Sequence, residues 1–351
     1  MALARTSRPA YRATRRSAAI AAVGTGAAIV TAVTIGDLVG QRSLLAEGPP
    51  SLTWASGLRA AALAVAGTGL LAGLRLAAVG LLAPAPLTDW SSPGLRKAPL
   101  VPAAVAIAGA VLVWIGPGTL NRLVAEDGPV EWASAVLCFA AAGMACLAGL
   151  RFRSRPGRRL AATWCVVLGG CCLLIGLEEV SFFQRQLNLT TPAALAGNEQ
   201  QELNLHNVAT DGAENAYYAG AFALCVALPA VAGDRRLPHR LRSLQPALPG
   251  LAVLRSSVLA GAVVYEMWDA VPVQMTFWGS FAALGITMGR SPTGGKQRWL
   301  ALVVAVVAAG MLAGGSRMVR SWDDTEVREL IIPFGLAVYG RQLLDRARFP
   351  C

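Results

Sequence analysis

The chain is poor in the residues from which most soluble proteins build their surfaces and their metal sites. Of its 351 residues only 15% are charged, 7% are aromatic and two are histidines. Soluble domains carry about 25% charged residues on average, and no connection between the apolar runs is long enough to fold as a soluble domain. The seven cysteines include no C-x-x-C pair, which argues against a zinc cage and a disulfide framework.

Long apolar runs take the place of these residues. Hydrophobic residues make up 55% of the chain, the mean hydropathy is +0.51, and the runs are near or above the length of about 20 residues that spans a bilayer. This pattern predicts an all-α, polytopic integral membrane protein with about ten transmembrane helices. The predicted spans are roughly 17–39, 52–83, 100–121, 128–150, 160–180, 208–232, 248–269, 270–289, 299–315 and 326–344.

The basic residues predict how the chain is oriented in the membrane. A net charge of +11 in a soluble domain would indicate a nucleic-acid partner, but most of the 31 Lys and Arg residues lie in alternate connections. Most of the 20 acidic residues lie in the other connections. Because basic loops stay in the cytoplasm, both termini are predicted to be cytoplasmic. The protein is predicted to lie in the inner (cytoplasmic) membrane of the cell and to have no nucleic-acid partner. The predicted organisation is a basic tail at 1–16, one transmembrane domain at 17–345 and a tail at 346–351.

The most polar connection runs from Gly176 to Asn207, between the fifth and sixth predicted spans. Glu178 and Glu179 close the fifth span, where both the helix dipole and the membrane disfavour a carboxylate. Ionisable residues in such positions are functional by default. The two glutamates are therefore predicted to be catalytic.

A carboxylate and an imidazole share a face further along the same connection. Glu202 and His206 are four residues apart, so they lie side by side if their segment is helical. Such a pair can bind a metal ion or act as general acid and base. Both residues are predicted to be catalytic.

Acidic residues of the other connections on the extracytoplasmic side complete a predicted metal site. Asp127 and Glu131 are four residues apart and Glu326 and Glu329 are three apart, so each pair shares a helix face. Carboxylates suit Mg²⁺, Mn²⁺ or Ca²⁺, and a site with a histidine also suits Fe or Zn. For exposed acids at helix starts, capping of the helix is the alternative. The predicted metal ligands are Glu126, Asp127, Glu131, Glu202, His206, Asp323, Asp324 and Glu326.

Arg185, Gln184 and Asn207 are predicted to bind the substrate. Arg185 lies seven residues after Glu178, on the same side of the helix if the helix continues. Its guanidinium group either neutralises a nearby carboxylate or holds an anionic head group through its planar fork. In the second role it would suit a membrane lipid or a lipid-linked substrate, such as an isoprenoid phosphate or diphosphate.

Two runs in this connection resemble motifs of a set of bacterial polytopic membrane proteins. Residues 178–185 read EEVSFFQR and residues 198–207 read NEQQELNLHN, which match the forms E-E-x-S-x-x-Q-R and N-x-Q-x-E-x-N-L-H-N. Leu177 separates the preceding glycine from the acids, and Phe182 stands where the pattern usually has Trp. The Glu126-Asp-Gly element upstream is similar to a further motif of the set. The resemblance implies a polytopic membrane fold in which these residues form one site, and it carries no activity.

Three functions are compatible with these patterns. The first is a membrane enzyme with a carboxylate and histidine site at the extracytoplasmic face, assisted by a divalent metal ion and acting on a lipid or isoprenoid phosphate. The second is a proton- or cation-coupled transporter in which Glu178, Glu179 and Glu266 titrate, but the acids crowd one end instead of the bilayer midplane. The third is a non-catalytic partner in envelope biogenesis. The arrangement of the acids favours the enzyme.

Overall fold

Helices make up nearly all of the regular structure. The computed structural model of the protein describes residues 7–45, 48–84, 93–125, 127–191, 203, 210–289, 294–317 and 325–348. Within these residues the only strands are β1 (Ala83–Pro84) and β2 (Arg235–Arg236), which form a short antiparallel pair. The predicted all-α class is confirmed. The helices are α1 (Ser7–Val39), α2 (Trp54–Leu81), α3 (Pro93–Lys97), α4 (Leu100–Ile115), α5 (Pro117–Val124), α6 (Pro129–Arg153), α7 (Arg159–Glu179), α8 (Thr210–Phe222), α9 (Leu228–Ala232), α10 (Leu251–Ser257), α11 (Val271–Met288), α12 (Gly294–Gly314) and α13 (Thr325–Arg348).

Seven helical segments of the described chain are long and apolar enough to cross a membrane. Large apolar side chains such as Ile20, Val65, Val166 and Leu302 are exposed on their outer faces. Such faces are costly in water and suit a lipid environment, which confirms the prediction of a multi-pass membrane protein. The seven segments are Ala13–Val39, Trp54–Leu81, Gly94–Ile115, Pro129–Arg153, Arg159–Glu179, Thr210–Ala232 and Gly295–Arg317.

The three other predicted spans are helical in whole or in part but are not among these seven. The span at 248–269 falls on α10, which a 3₁₀ segment extends to Ala262. The span at 270–289 falls on α11, and the span at 326–344 falls on α13. The span predicted at 100–121 is wrong at its end. Helix α4 ends at Ile115, Gly116 interrupts it and Pro117 begins α5, because a proline cannot donate the hydrogen bond that would continue a helix.

Small residues let the long helices approach one another closely. Helix α1 packs along α2, and α6 packs against both α7 and α13. A Cβ atom added at Gly73 of α2 would lie 3.0 Å from the carbonyl oxygen of Ala19 in α1. One added at Gly340 of α13 would lie 3.0 Å from the carbonyl oxygen of Ala141 in α6. Packing of this kind is expected where lipid supplies no hydrophobic drive for helix association.

One stretch of the interior, residues 263–270, has no regular helix although it is almost wholly buried. Irregular backbone is tolerated at membrane depth only where the protein itself satisfies its polar groups. Two arginines do so here. The carbonyl oxygen of Val263 accepts a 2.8 Å hydrogen bond from Nε of Arg328, and that of Asp269 accepts a 2.7 Å bond from Nη2 of Arg59.

Helix α2 carries an ion pair near each of its ends. Nη2 of Arg59 lies 2.7 Å from Oδ2 of Asp37 in α1, and Nη1 of Arg75 lies 2.6 Å from Oδ1 of Asp234 after α9. The two arginines are separated by about 24 Å of helix, close to the thickness of a bilayer core. The two pairs therefore mark opposite ends of the bundle.

The contacts between connections fall into the same two groups. At the end of the bundle where Asp37 lies, the side-chain amide of Asn215 in α8 donates a hydrogen bond to the carbonyl oxygen of Leu45. Helix α8 in turn contacts the start of α13 there. At the opposite end, where Arg75 lies, the guanidinium group of Arg155 donates a 2.7 Å hydrogen bond to the carbonyl oxygen of Ala347. We call the first the acidic end, defined by Asp37, Glu131, Glu179 and Glu329, and the second the basic end, defined by Arg75, Arg155, Arg235 and Arg346.

Candidate functional site

The last turn of α7 carries two adjacent carboxylates at the acidic end. Glu178 and Glu179 are the final residues of this helix, both are half-buried, and the last turn contains no basic residue. A helix C-terminus repels negative charge. Stabilisation of these groups therefore has to come from other elements.

Glu179 interacts electrostatically with carboxyl groups from two other helices. These are Glu131 in the first turn of α6 and Glu329 in the first turns of α13, and both are half-buried. Close carboxylates repel each other unless a proton or a cation is shared between them. We call Glu131, Glu179 and Glu329 the carboxylate cluster, and a proton or a positively charged group would relieve the repulsion between them.

Tyr218 joins the cluster to helix α8. Its hydroxyl group donates a 2.5 Å hydrogen bond to Oε1 of Glu329, and the tyrosine is almost fully buried. The guanidinium carbon of Arg328 lies 4.6 Å from the centre of the Tyr218 ring, within the range of a cation–π interaction. The buried positive charge of Arg328 is therefore next in sequence to Glu329 of the cluster. The N–H groups of Arg328 donate to the carbonyl oxygen of Val263.

Two buried hydroxyl groups beside the cluster have no hydrogen-bond partner among the described residues. They are Oη of Tyr217 and Oγ of Ser134, which lies one turn after Glu131 on α6. Tyr217 interacts electrostatically with Glu179 and Glu329. Because an unsatisfied buried hydroxyl costs about 1–3 kcal/mol, the cluster has spare hydrogen-bonding capacity that a ligand group could use.

Arg185 and Asp127 bind each other. The sequence predicts that Arg185 binds the substrate and that Asp127 binds a metal ion. Nη1 of Arg185 lies 2.6 Å from Oδ2 of Asp127, and their side chains are 38% and 40% exposed. Exposed ion pairs contribute about 0–1 kcal/mol, so this pair is easily opened. The backbone N–H of Asp127 donates to Oε2 of Glu131, so Glu131 also binds the residue that precedes the N-cap of α6.

Gln184, the second predicted substrate-binding residue, uses both ends of its amide within the protein. It is buried, its Nε2 donates a 2.8 Å hydrogen bond to Oγ1 of Thr191, and its Oε1 accepts a 2.6 Å bond from the backbone N–H of Leu203. The side chain thereby ties two parts of the connection after α7 together.

The chain leaves α7 through a turn of left-handed backbone. Ser181, Phe182 and Phe183 have φ angles of 45°, 53° and 61°, which L-residues adopt at a cost of about 1–2 kcal/mol each. The ring of Phe183 packs against Trp132 and Phe139 of α6, with centroid distances of 6.3 and 6.4 Å. Strained backbone of this kind concentrates at functional sites.

Other predicted site residues divide into two groups. Glu326 is half-buried in the first turn of α13, one turn before Glu329. Among the residues that the structure describes, no group of three or more His, Cys, Asp and Glu side chains is arranged to hold a metal ion. The remaining predicted residues lie outside the described part of the chain: Glu126, Glu202, His206, Asn207, Asp323 and Asp324.

Tyr217, Tyr218, Ser134 and Arg328 were not predicted from the sequence. The adjacent tyrosines stand in an Ala- and Gly-rich helix, and Arg328 stands next to the acid Glu329. An ionisable residue beside an apolar run is the signal that could have indicated Arg328. The hydroxyl groups carry no comparable signal, because uncharged polar side chains cost a membrane helix much less than charged ones.

The fold and the site define a class of protein, a multi-pass helical membrane protein with a carboxylate cluster at one end of its bundle. No protein-family model, curated protein or solved structure matches the chain. The chemistry of the cluster is therefore the basis on which its function is inferred.

Proposed function

We propose that the protein is an integral membrane enzyme in which the carboxylate cluster performs acid–base chemistry on a lipid or isoprenoid (phosphate) substrate. The observation that carries this proposal is the interaction of Glu179 with Glu131 and Glu329, three half-buried carboxyl groups from three helices. Carboxyl groups that share a proton supply an acid and a base at the same place. The cluster lies at the acidic end of the bundle, and we infer that a membrane-soluble substrate reaches it there.

Each member of the site has a role in this proposal. Glu179 is the acid or base, because it interacts with both other carboxyl groups. Glu329 is the proton partner, held in place by the hydroxyl of Tyr218. Arg185 binds an anionic head group by leaving its exposed pair with Asp127, since that pair is weak.

A divalent metal ion, with Mg²⁺, Mn²⁺ or Ca²⁺ preferred over Fe or Zn, belongs to this proposal as a second part. Carboxylate oxygens suit such an ion, but the described side chains alone are not arranged to hold one. The set of ligands depends on residues outside the described part of the chain, namely Glu126, Glu202, His206, Asp323 and Asp324.

Reconstitution tests the enzyme directly. Purified protein in liposomes made from a total bacterial lipid extract, with and without added Mg²⁺ or Mn²⁺, should consume one lipid species and form a product visible by mass spectrometry. Glu179→Gln should abolish the conversion, and Asp211→Asn, an acid at the same end but outside the cluster, should retain it. An unchanged lipid profile with the natural protein, or equal conversion by Glu179→Gln, contradicts the proposal.

Elemental analysis tests the metal separately. If a metal ion assists the reaction, the purified protein should contain a divalent ion. The amount of bound metal should fall in Glu179→Gln and in the double variant Glu202→Gln with His206→Ala. Metal-free protein that converts lipid would remove the metal and leave the acid–base proposal standing.

We also propose ten membrane crossings with both termini in the cytoplasm. The separation of contacts into an acidic and a basic end supports this count, because the described contacts of the connections lie at the ends that ten alternating crossings assign to them. Residues 248–271 support it too, since Leu248 accepts a bond from Gln342 at the basic end while Val271 donates to Leu44 at the acidic end. A reporter fused after Gly197 should be extracytoplasmic, and one fused after Gly157 should be cytoplasmic.

A proton- or cation-coupled transporter is the second candidate, and the irregular segment 263–270 favours it. Broken helices in transporters expose carbonyl groups that coordinate ions, and Glu266 in this segment is only 3% exposed. Here, however, the carbonyls of Val263 and Asp269 accept hydrogen bonds from arginines, so they are not open to a cation. Proton or Na⁺ flux into liposomes that is lost in Glu266→Gln but retained in Glu179→Gln would favour transport over catalysis.

A further inference from the structure

A polar cavity lies at the acidic end, apart from the carboxylate cluster. It has a volume of about 350 Å³ and lies between the α1–α2 connection and the end of the irregular segment. Its lining includes Arg42, Ser51, Arg59 and Asp269. This volume is in the range of a small-molecule site, and the lining contains two arginines.

Arg59 is buried in the wall of this cavity with part of its guanidinium group unused. Its side chain is 9% exposed, Nε and Nη2 donate to the carboxylate of Asp37, and Nη2 also donates to the carbonyl of Asp269. Nη1 is buried and has no hydrogen-bond partner in the part of the chain that the structure describes. Because leaving a buried donor unsatisfied is costly, this nitrogen indicates a missing acceptor.

The hydrogen-bond donors of the lining favour a group with several acceptor oxygens. Arg42 is exposed and contributes a second guanidinium group, while the carboxylate of Asp269 already accepts a 2.9 Å hydrogen bond from the backbone N–H of Ser51. The carboxylates of Asp37 and Asp269 offset the charges of the two guanidinium groups, but Nη1 of Arg59 still carries N–H donors that have no acceptor among the described residues. Phosphate oxygens match the fork of an arginine in both charge and geometry.

The surroundings of the cavity favour a ligand that is partly apolar. Val39 at the end of α1 is 80% exposed, and Leu52 and Trp54 at the start of α2 are 74% and 91% exposed. Tryptophan is enriched where membrane meets water, at the level of lipid head groups. A head group in the cavity would place its hydrocarbon chains along these side chains.

We propose that Arg59 and Arg42 bind the phosphate group of a phosphate-bearing ligand in this cavity. A phospholipid head group is the source that the apolar rim favours, and free phosphate is the other source of the same chemistry. The site is separate from the carboxylate cluster, so it does not depend on the catalytic proposal.

Binding to the full-length, detergent-purified protein tests the site with two probes, dihexanoyl phosphatidylglycerol and inorganic phosphate. Arg42→Gln should weaken binding of the probe by about ten-fold or more, the loss expected for one charge-assisted hydrogen-bonding group. Arg122→Gln, which removes another exposed arginine that the topology places at the same end, is the matched control and should bind as the natural protein does. The side chain of Arg42 is exposed, and Arg42→Gln leaves its backbone hydrogen bond to the carbonyl of Asp37 in place, so melting temperatures without ligand should agree.

The two probes distinguish the sources of the phosphate. Saturable binding of the lipid that inorganic phosphate does not displace identifies a lipid site, whereas equally tight binding of inorganic phosphate identifies a soluble ligand. Both results support the phosphate site. Equal affinity of Arg42→Gln and the natural protein for the probes, or no binding of either probe, overturns it.

Discussion

The hydroxyl group of Tyr218 donates a 2.5 Å hydrogen bond to the carboxyl group of Glu329, and this contact fastens α8 to α13 beside Glu179. The two residues are far apart in the chain, yet both are part of the same buried site. Their relationship, and the positions of the arginines around them, lead to the following expectations.

Tyr218→Phe should destabilise the protein while keeping its ring in place beneath Arg328. Removing a hydrogen bond to a charged group typically costs about 1.5–3 kcal/mol, and conversion of the lipid substrate should fall because Glu329 is no longer held. Thermal unfolding in detergent and the liposome assay provide the two measurements. Tyr217→Phe is the matched control, since it removes a hydroxyl with no partner among the described residues. Equal stability losses in the two variants would contradict the assigned role of Tyr218.

Arg328→Lys should be strongly destabilising although it keeps the positive charge. A lysine cannot reproduce the fork that binds the carbonyl of Val263 from two nitrogens, so a loss of about 2–4 kcal/mol is expected for this buried group. Arg317→Lys offers a close comparison at the surface. Arg317 lies 4.6 Å from the Trp114 ring and donates a 2.9 Å bond to the carbonyl of Trp114, but it is exposed. Its replacement should cost less than about 1 kcal/mol.

Gly169→Leu should disrupt the contact between α6 and α7. A Cβ atom at Gly169 would lie 2.6 Å from Sγ of Cys146 and 3.2 Å from the carbonyl oxygen of Ala142, and overpacking of this kind costs about 1–3 kcal/mol. Gly170, the next residue, has nothing within 4 Å of such an atom. Gly170→Leu should therefore be neutral or slightly stabilising in a thermal unfolding experiment, because leucine is the better helix former. Similar melting temperatures for both variants would show that the two helices are not this close.

Asp234→Ala should cost far more stability than Arg185→Ala. The pair of Arg75 with Asp234 is 13% and 14% exposed, and breaking a buried pair costs about 3–5 kcal/mol because one charge is left uncompensated. The pair of Arg185 with Asp127 is exposed and contributes about 0–1 kcal/mol, less at high salt. Chemical unfolding at two salt concentrations measures both effects. If Arg185→Ala also lowers lipid conversion without changing stability, the predicted binding role of Arg185 is supported.

The membrane class was readable from the sequence, and so was the pair of acids at the end of α7. Apolar runs of span length have few other folds available to them in lipid. The end of the third span was misplaced, although Gly116 and Pro117 carried the signal for a helix break. For Arg185 the sequence left open a carboxylate partner or a head group, and the structure pairs it with Asp127.

The chain by itself determined where its apolar helices lie and that its acids occupy alternate connections, because both properties depend on local composition. Only the tertiary structure decided that Glu179 interacts electrostatically with Glu131 and Glu329, that Tyr218 binds Glu329, and that Arg59 and Arg328 bind carbonyl groups of the irregular segment. The physical reason is that membrane helices choose their neighbours by close packing of small residues over their whole length. That choice brings together side chains whose spacing in the sequence carries no information about their contact.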